Sequence, residues 1–257
     1  MLSTEVSVLN DNTNFIMKKF KNISLVIAFV FATSMTLAQS TSEFFTKSDA
    51  FFKANVKNGR VMYKSIKDNP TALNELLDMA KAISVSKEKA GEYQAFWING
   101  YNLLVIDGIV KNYPIKSPLD KPGFFDGNKN DIGGKSITLN DIENKLLRKN
   151  FPKEPRFHFV LVCGGLGCPP IINEAYVPSK LDAQLETQTK LAINDPNFIR
   201  VNKNKVKVSQ IFEWYPGDFK QDGKKLVDFI NQYKSEKLPE KAKISYYLYD
   251  WTLNEVK

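Results

Sequence analysis

From Tyr93 to Val110 the chain carries a single charge, Asp107, and no proline. A helix built from that stretch has no solvent face, so it must run through the middle of a domain, covered on all sides by its own chain. The surrounding residues predict the helix over about Ser86 to Val110, ending before Tyr113-Pro114. Asn99 and Asn102 lie three apart on it and share one face. Amides in so apolar a setting must be hydrogen-bonded. Most often such groups tie down loop backbone; less often they hold a substrate or orient a catalytic side chain.

Other elements follow from local signals. Helices are expected over Ser48 to Val56, from Pro70 at a first-turn position to Ala82, from Thr138 as cap through Leu139 to about Asn150, and over Ser179 to Ile193. Shorter helical pieces are expected at Ile211 to Tyr215 and Lys224 to Tyr233. Gly- and Asp/Asn-rich turns with short strands fill Pro118 to Gly134. Arg156 to Cys163 and Ile244 to Asp250 read as strands, and Arg200 to Val208 as a hairpin with a solvated lysine face that guards a sheet edge. Strands grouped mostly after helices indicate an α+β fold. The expected architecture is a single domain with a long buried central helix packed on a mostly antiparallel sheet with flanking helices.

Composition narrows the chemistry. With 257 residues, 43% of them hydrophobic and 12% aromatic, the chain is neither disordered nor fibrous. One His and two Cys exclude any mechanism needing two histidines and leave at most three Cys/His ligands for zinc, so no metal site and no cofactor are expected. The net charge of +8 comes from scattered lysines rather than from basic residues interleaved with aromatic platforms, which argues against a nucleic-acid partner.

Lys18, Lys19 and Lys21 precede the apolar run Ile23 to Ala32, and Thr36-Leu37-Ala38 offers small residues where a signal peptidase reads. The run is interrupted by Thr33, Ser34 and Thr36, and it is shorter than the roughly 20 residues of a spanning helix. We therefore expect residues 1–16 to be an extension upstream of the true start at Met17, 17–38 a signal peptide, 39–84 an N-terminal helical region, and 85–257 the main domain. The mature protein would be exported, periplasmic or extracellular, with no membrane span.

Candidate functional residues converge on Arg156 to Pro170. In a strand, Arg156 and His158 would point to one face. On the preceding helix Glu143 falls inside the apolar stripe of Leu139, Ile142, Leu146 and Leu147, where an unpaired carboxylate is too costly to bury. Arg156 and His158 are its nearest candidate partners in sequence. The result is either a Glu-His-Arg cluster in a cleft or a buried structural network. The loop Cys163-Gly164-Gly165-Leu166-Gly167-Cys168-Pro169-Pro170 can fold its amides inward as an anion or oxyanion cradle. A thiolate beside it would suit acyl transfer. In an extended strand, however, His158 and Cys163 would stand about 16 Å apart on opposite faces. An oxidising compartment and a four-residue spacer favour a disulfide over two free thiols.

Phe96-Trp97-Ile98-Asn99-Gly100-Tyr101-Asn102, Leu139 to Glu143, Arg156-Phe157-His158-Phe159 running into Cys163 to Pro170, Ile211 to Tyr215 and Tyr249 to Asn254 together resemble the family known as domain of unknown function 547. The resemblance covers roughly residues 85 to 254. It implies an exported bacterial protein without an assigned activity. Asn144 departs from the family pattern, which often has His directly after the glutamate.

Two functional classes follow. One is a thiol-dependent hydrolase or acyl transferase with Cys163 or Cys168 as nucleophile, His158 as general base and Glu143 or Asn99 as orienter. Arg156, Asn99, Asn102, Gly164, Gly165 and Gly167 would bind its substrate. The other is a non-catalytic, disulfide-stapled envelope domain binding an anionic ligand or partner. In either case the ligand is a small molecule or an envelope polymer.

Overall fold

The structure, a computed structural model, describes residues 41–257. The expected extension and signal peptide lie outside the described residues. Residues 44–257 form one compact α+β unit. Helix α1 runs to residue 55. A two-stranded ribbon follows, β1 (Val56–Lys57) and β2 (Arg60–Val61), then α2 (Tyr63–Asp68) and α3 (Thr71–Ala82). The long apolar segment is α4 (Ala90–Asn112), and Trp97, Ile98, Asn99, Leu103 and Ile106 on its different sides are all at most 1% exposed. It packs on α2, α3 and the hairpin β3 (Asn130–Ile132)–β4 (Lys135–Ile137), whose Ile132 meets Gly100. Among the described residues no helix is long and apolar enough to cross a membrane.

Thr138 caps α5 (Leu139–Asp141) by accepting a hydrogen bond from the Asp141 amide at 3.1 Å. The helix then widens into a π-helical turn over Ile142–Arg148, with the Lys149 amide reaching back five residues to the Asn144 carbonyl. Further on stand α6 (Leu181–Asn194), β5 (Ile199–Asn202), β6 (Lys205–Ser209), α7 (Ile211–Trp214), α8 (Pro216–Phe219), α9 (Leu226–Tyr233) and β7 (Lys243–Tyr247). Strand β6 pairs antiparallel with β5 and parallel with β7. Lys203, Lys205 and Lys207 of the hairpin face solvent, while Val206 and Val208 are buried. This sheet belongs to a second apolar cluster built around Phe159, Phe212, Phe219 and Phe229.

One expected strand is absent. Residues Pro155–Phe159 form a 3-10 turn, which Glu154 caps through the Arg156 amide, and Val160 to Cys163 continue without a ladder partner. A short apolar run does not distinguish strand from helix by period, and Pro155 favours a first helical turn. The run is buried because it is clamped to α4. The Asn102 amide nitrogen donates to the Val160 carbonyl at 3.0 Å, and its oxygen accepts from the Val162 amide at 2.9 Å. Asn99 does the same for Tyr176, at 2.7 and 3.0 Å. Asn102→Ala leaves two buried backbone groups unsatisfied. It should lower unfolding free energy by about 2–3 kcal/mol, read from the urea midpoint at unchanged slope.

Candidate functional site

The π-helical turn, the 3-10 turn, the cysteine loop, α7 and the C-terminal segment surround a cleft of about 270 Å³. Glu143, His158, Cys163 and Cys168 line it together, as do Tyr101 of α4, Trp214 at the end of α7 and Tyr215 just after it, and Tyr249 and Trp251 near the C-terminus.

His158 is 5% exposed, with its ring 4.1 Å from that of Tyr215 and 5.2 Å from that of Phe219. Its Nε2 lies 2.7 Å from Asp218 Oδ2. Arg148 grips the same carboxylate, with Nε 2.6 Å from Oδ2 and Nη2 3.0 Å from Oδ1, and also bonds Asn144. Burial would raise the Asp218 carboxyl, but the hydrogen bonds from His158 and Arg148 outweigh it and hold the group well below the usual carboxylate range. An ionised Asp218 can only accept, so Nε2 carries the hydrogen and Nδ1 is the nitrogen presented to Glu143, whose Oε1 lies 4.0 Å away. Burial, reinforced by the Glu143 carboxylate to which its hydroxyl bonds, pushes the Tyr215 phenol far up, so it stays neutral and donates.

The cysteines form a disulfide, Cα to Cα 6.3 Å. Tyr249 donates its O–H to Cys168 Sγ at 2.9 Å and stands 3.0 Å from Cys163 Sγ; the Cys163 amide also lies 2.9 Å from Cys168 Sγ. Burial pushes the Tyr249 phenol up as well. The loop turns back toward the histidine because Gly164 adopts φ +82° and because Gly167 has no Cβ, which would stand 2.9 Å from the Tyr249 ring. With the loop turned, His158 and both sulfurs face one cleft instead of standing on opposite faces of a strand.

Three expectations are corrected. Arg156 does not meet Glu143. The 3-10 turn aims it at α6, where it bonds Glu154 (2.7 and 2.6 Å) and Asp182 (2.8 Å), a structural tie. Asn99 and Asn102 tie down loop backbone, the more frequent of the two roles expected for them, and stand outside the cleft lining, so it is only their expected substrate-binding role that is corrected. The loop makes no open amide cradle from Leu166, Gly167 and Cys168. Their N–H groups donate to the carbonyls of Thr252, Asp250 and Gly165 at 2.7, 2.7 and 3.2 Å, and the Gly164 carbonyl accepts from Asn254. Gly164, Gly165 and Gly167 thus dock the C-terminal segment. Among the described residues no group of three His, Cys, Asp or Glu side chains could hold a metal ion.

Sequence reasoning missed Asp218 and Arg148. Asp218 is 60 residues beyond His158 and follows an ordinary Pro-Gly pair, so no local signal marks it. Arg148 sits five residues after Glu143, a spacing that an α-helical period turns away and a π-turn brings around. Because Asp218 is held ionised in the fold, its stabilisation is present above the carboxyl's ordinary value near 4 and is lost as pH falls below it. Asp218→Asn should therefore cost about 2 kcal/mol at pH 7. The gap from wild type should close as the pH drops from about 4 toward 2, measured by urea unfolding at each pH.

A family model described as "Protein of unknown function, DUF547" matches residues 85–191. No curated protein and no solved structure matches the chain. The matched span carries α4, Glu143, Arg148, His158 and both cysteines, while Trp214, Tyr215, Tyr249 and Trp251, which complete the cleft, and Asp218, which holds His158 from behind it, lie beyond the match. Residues 85–191 of the chain thus carry a DUF547 domain.

Proposed function

We propose that this protein is an exported thiol-dependent hydrolase or acyl transferase whose nucleophile rests as the Cys163–Cys168 disulfide. The observation that carries the reading is the convergence of a cleft-lining sulfur, its hydrogen-bond donors and an oriented histidine. Cys168 Sγ has the Tyr249 hydroxyl and the Cys163 amide at 2.9 Å each, in the cleft that His158 and Glu143 also line. A dithiol reductant would convert the bridge to two thiols and itself become a disulfide. Cys168 would then lose its proton to His158 Nδ1, with the thiolate held by the Tyr249 and Cys163 donors. The thiolate attacks an acyl carbon, and the imidazolium returns the proton to the leaving group. Asp218 holds the ring in the one tautomer that leaves Nδ1 basic.

Closure of the bridge favours a second reading, a non-catalytic binding domain in which the disulfide is a staple. Alkylation separates the two. Under the first, mild dithiol treatment of the folded protein exposes two thiols by intact mass, and Cys168 is alkylated at a pH well below that of an ordinary cysteine, near 8.5. Hydrolysis of p-nitrophenyl acyl esters then appears only after reduction. Cys168→Ala abolishes it and His158→Ala lowers it at least about 100-fold. A bridge that resists reduction until the protein unfolds, or thiols that release no product from the esters, would leave the binding reading.

A further inference from the structure

The chain as a whole is basic, at +8, yet its cleft is not. The lining contains one carboxylate, Glu143, and no lysine or arginine. Arg148, the guanidinium close by, is occupied: it is held by Asp218 and Asn144, and it lies 4.5 Å over the outer Tyr215 ring. The Glu143 side chain is only 14% exposed; it accepts from the neutral Tyr215 hydroxyl, and among the described residues its ion-pair contact is His158 Nδ1 at 4.0 Å, longer than a hydrogen bond, so no cation is bound to it directly. A carboxylate in such a position is stabilised by any cation that reaches it.

What surrounds it is aromatic. Tyr101, Phe125, Trp214, Tyr215, Tyr249 and Trp251 all line the cleft. Trp214, Tyr249 and Trp251 form a continuous platform, with ring centroids 4.9, 4.8 and 6.1 Å apart, and Trp214 remains 43% exposed at its edge. Ring faces attract a cation through their quadrupole and are indifferent or repulsive to an anion. The acceptors turned toward the cleft, Glu143 and the Nδ1 of His158, call for N–H donors. A volume of about 270 Å³ takes one side-chain-sized group rather than a drug-sized molecule.

We propose that the cleft recognises a primary ammonium group on a short alkyl chain, with Glu143 as its counter-ion and the Trp214–Tyr249–Trp251 platform against its stem. The ligand would then be an amine, or a polymer bearing amine side chains, and not the anion that the basic composition suggests. The inference rests on the cleft being the functional site, but it does not need catalysis. It is therefore tested on the bridged protein without reductant, where failure of the thiol chemistry leaves the outcome untouched.

The experiment is a titration followed by tryptophan fluorescence and by ¹H–¹⁵N NMR, using n-butylammonium, butyrate and methyl glucoside as probes at fixed ionic strength. Expected are saturable shifts with butylammonium alone and weakening by at least about tenfold in Glu143→Gln. In Trp214→Ala, an exposed site whose substitution should leave the fold intact, binding should weaken severalfold. Amide spectra of both variants report whether the fold is kept. Butyrate or the glucoside binding as well as the amine, no saturable binding of the amine, or a folded Glu143→Gln that binds it as wild type does, would each overturn the proposal.

Discussion

A helix whose central turns have no solvent face forces the amide side chains on it to find protein partners, and in α4 the way Asn99 and Asn102 meet that requirement positions the rest of the molecule, although the buried Trp97 indole N–H on the same helix has no hydrogen-bond partner among the described residues. Asn102 bonds backbone at Val160 and Val162, and Asn99 bonds Tyr176 through both its donor and its acceptor. The chain between those clamps carries both cysteines, so the helix fixes the two ends of the loop that forms one wall of the cleft. In the low dielectric of the core each of these bonds is costly to leave unmade, which makes the loop's position a property of the core rather than of the surface. Gly164 completes the arrangement, because any Cβ there would stand 2.6 Å from Ile109 of the same helix.

The loop and the C-terminal segment define each other. Leu166 and Gly167 donate to Thr252 and Asp250, and Leu253 and Asn254 donate in turn to Lys116 and Gly164. These bonds use amides that a cradle for an anion would have needed. In exchange they carry Tyr249 and Trp251 into the cleft and set the Tyr249 hydroxyl against both sulfurs. The glycines are therefore required for close approach between two stretches of backbone. Tyr63 anchors the far end of that segment through its hydroxyl, 2.7 Å from Asn254 Oδ1.

Much of this was legible in the sequence, and the remainder was not for definite reasons. The buried helix, the Thr138 cap, the lysine hairpin and the α+β class all follow from patterns within one element, where periodicity and capping act locally. The disulfide was expected from the cysteine spacing together with an expected, oxidising compartment, and the structure has it. Glu143 was identified as a carboxylate on an apolar stripe that needed a partner, and His158 was named as one; in the structure His158 lies 4.0 Å away in the same cleft, while the hydrogen bond comes from Tyr215. Arg156 was named too and was wrong, because the assignment assumed a strand where a proline-initiated turn formed. The partner of His158 that matters most, Asp218, is set by tertiary packing alone: α8 and α9 bring it in through Phe219 and Phe229, and no short-range pattern reports that. The widening of α5 into a π-turn, which brings Arg148 to the same place, also has no sequence period of its own.

A single histidine between two carboxylates has one consequence that neither carboxylate would have alone. Asp218 is satisfied twice over, by Arg148 and by His158, and is the anion the fold has already neutralised. Glu143 accepts from the Tyr215 hydroxyl, and the ion-pair partner it faces among the described residues is His158 Nδ1 at 4.0 Å, so it is the less fully paired of the two. The asymmetry separates the two carboxylates: Asp218 orients the imidazole, while Glu143 is the carboxylate that lines the cleft. A protein with an excess of lysine thus has a cleft lined by one carboxylate and by no lysine or arginine. The lysines are scattered over surfaces where solvent screens them, whereas one partly buried carboxylate among rings acts in a medium that screens it far less. For this chain the charge of the site, and not the charge of the protein, is what a ligand would meet.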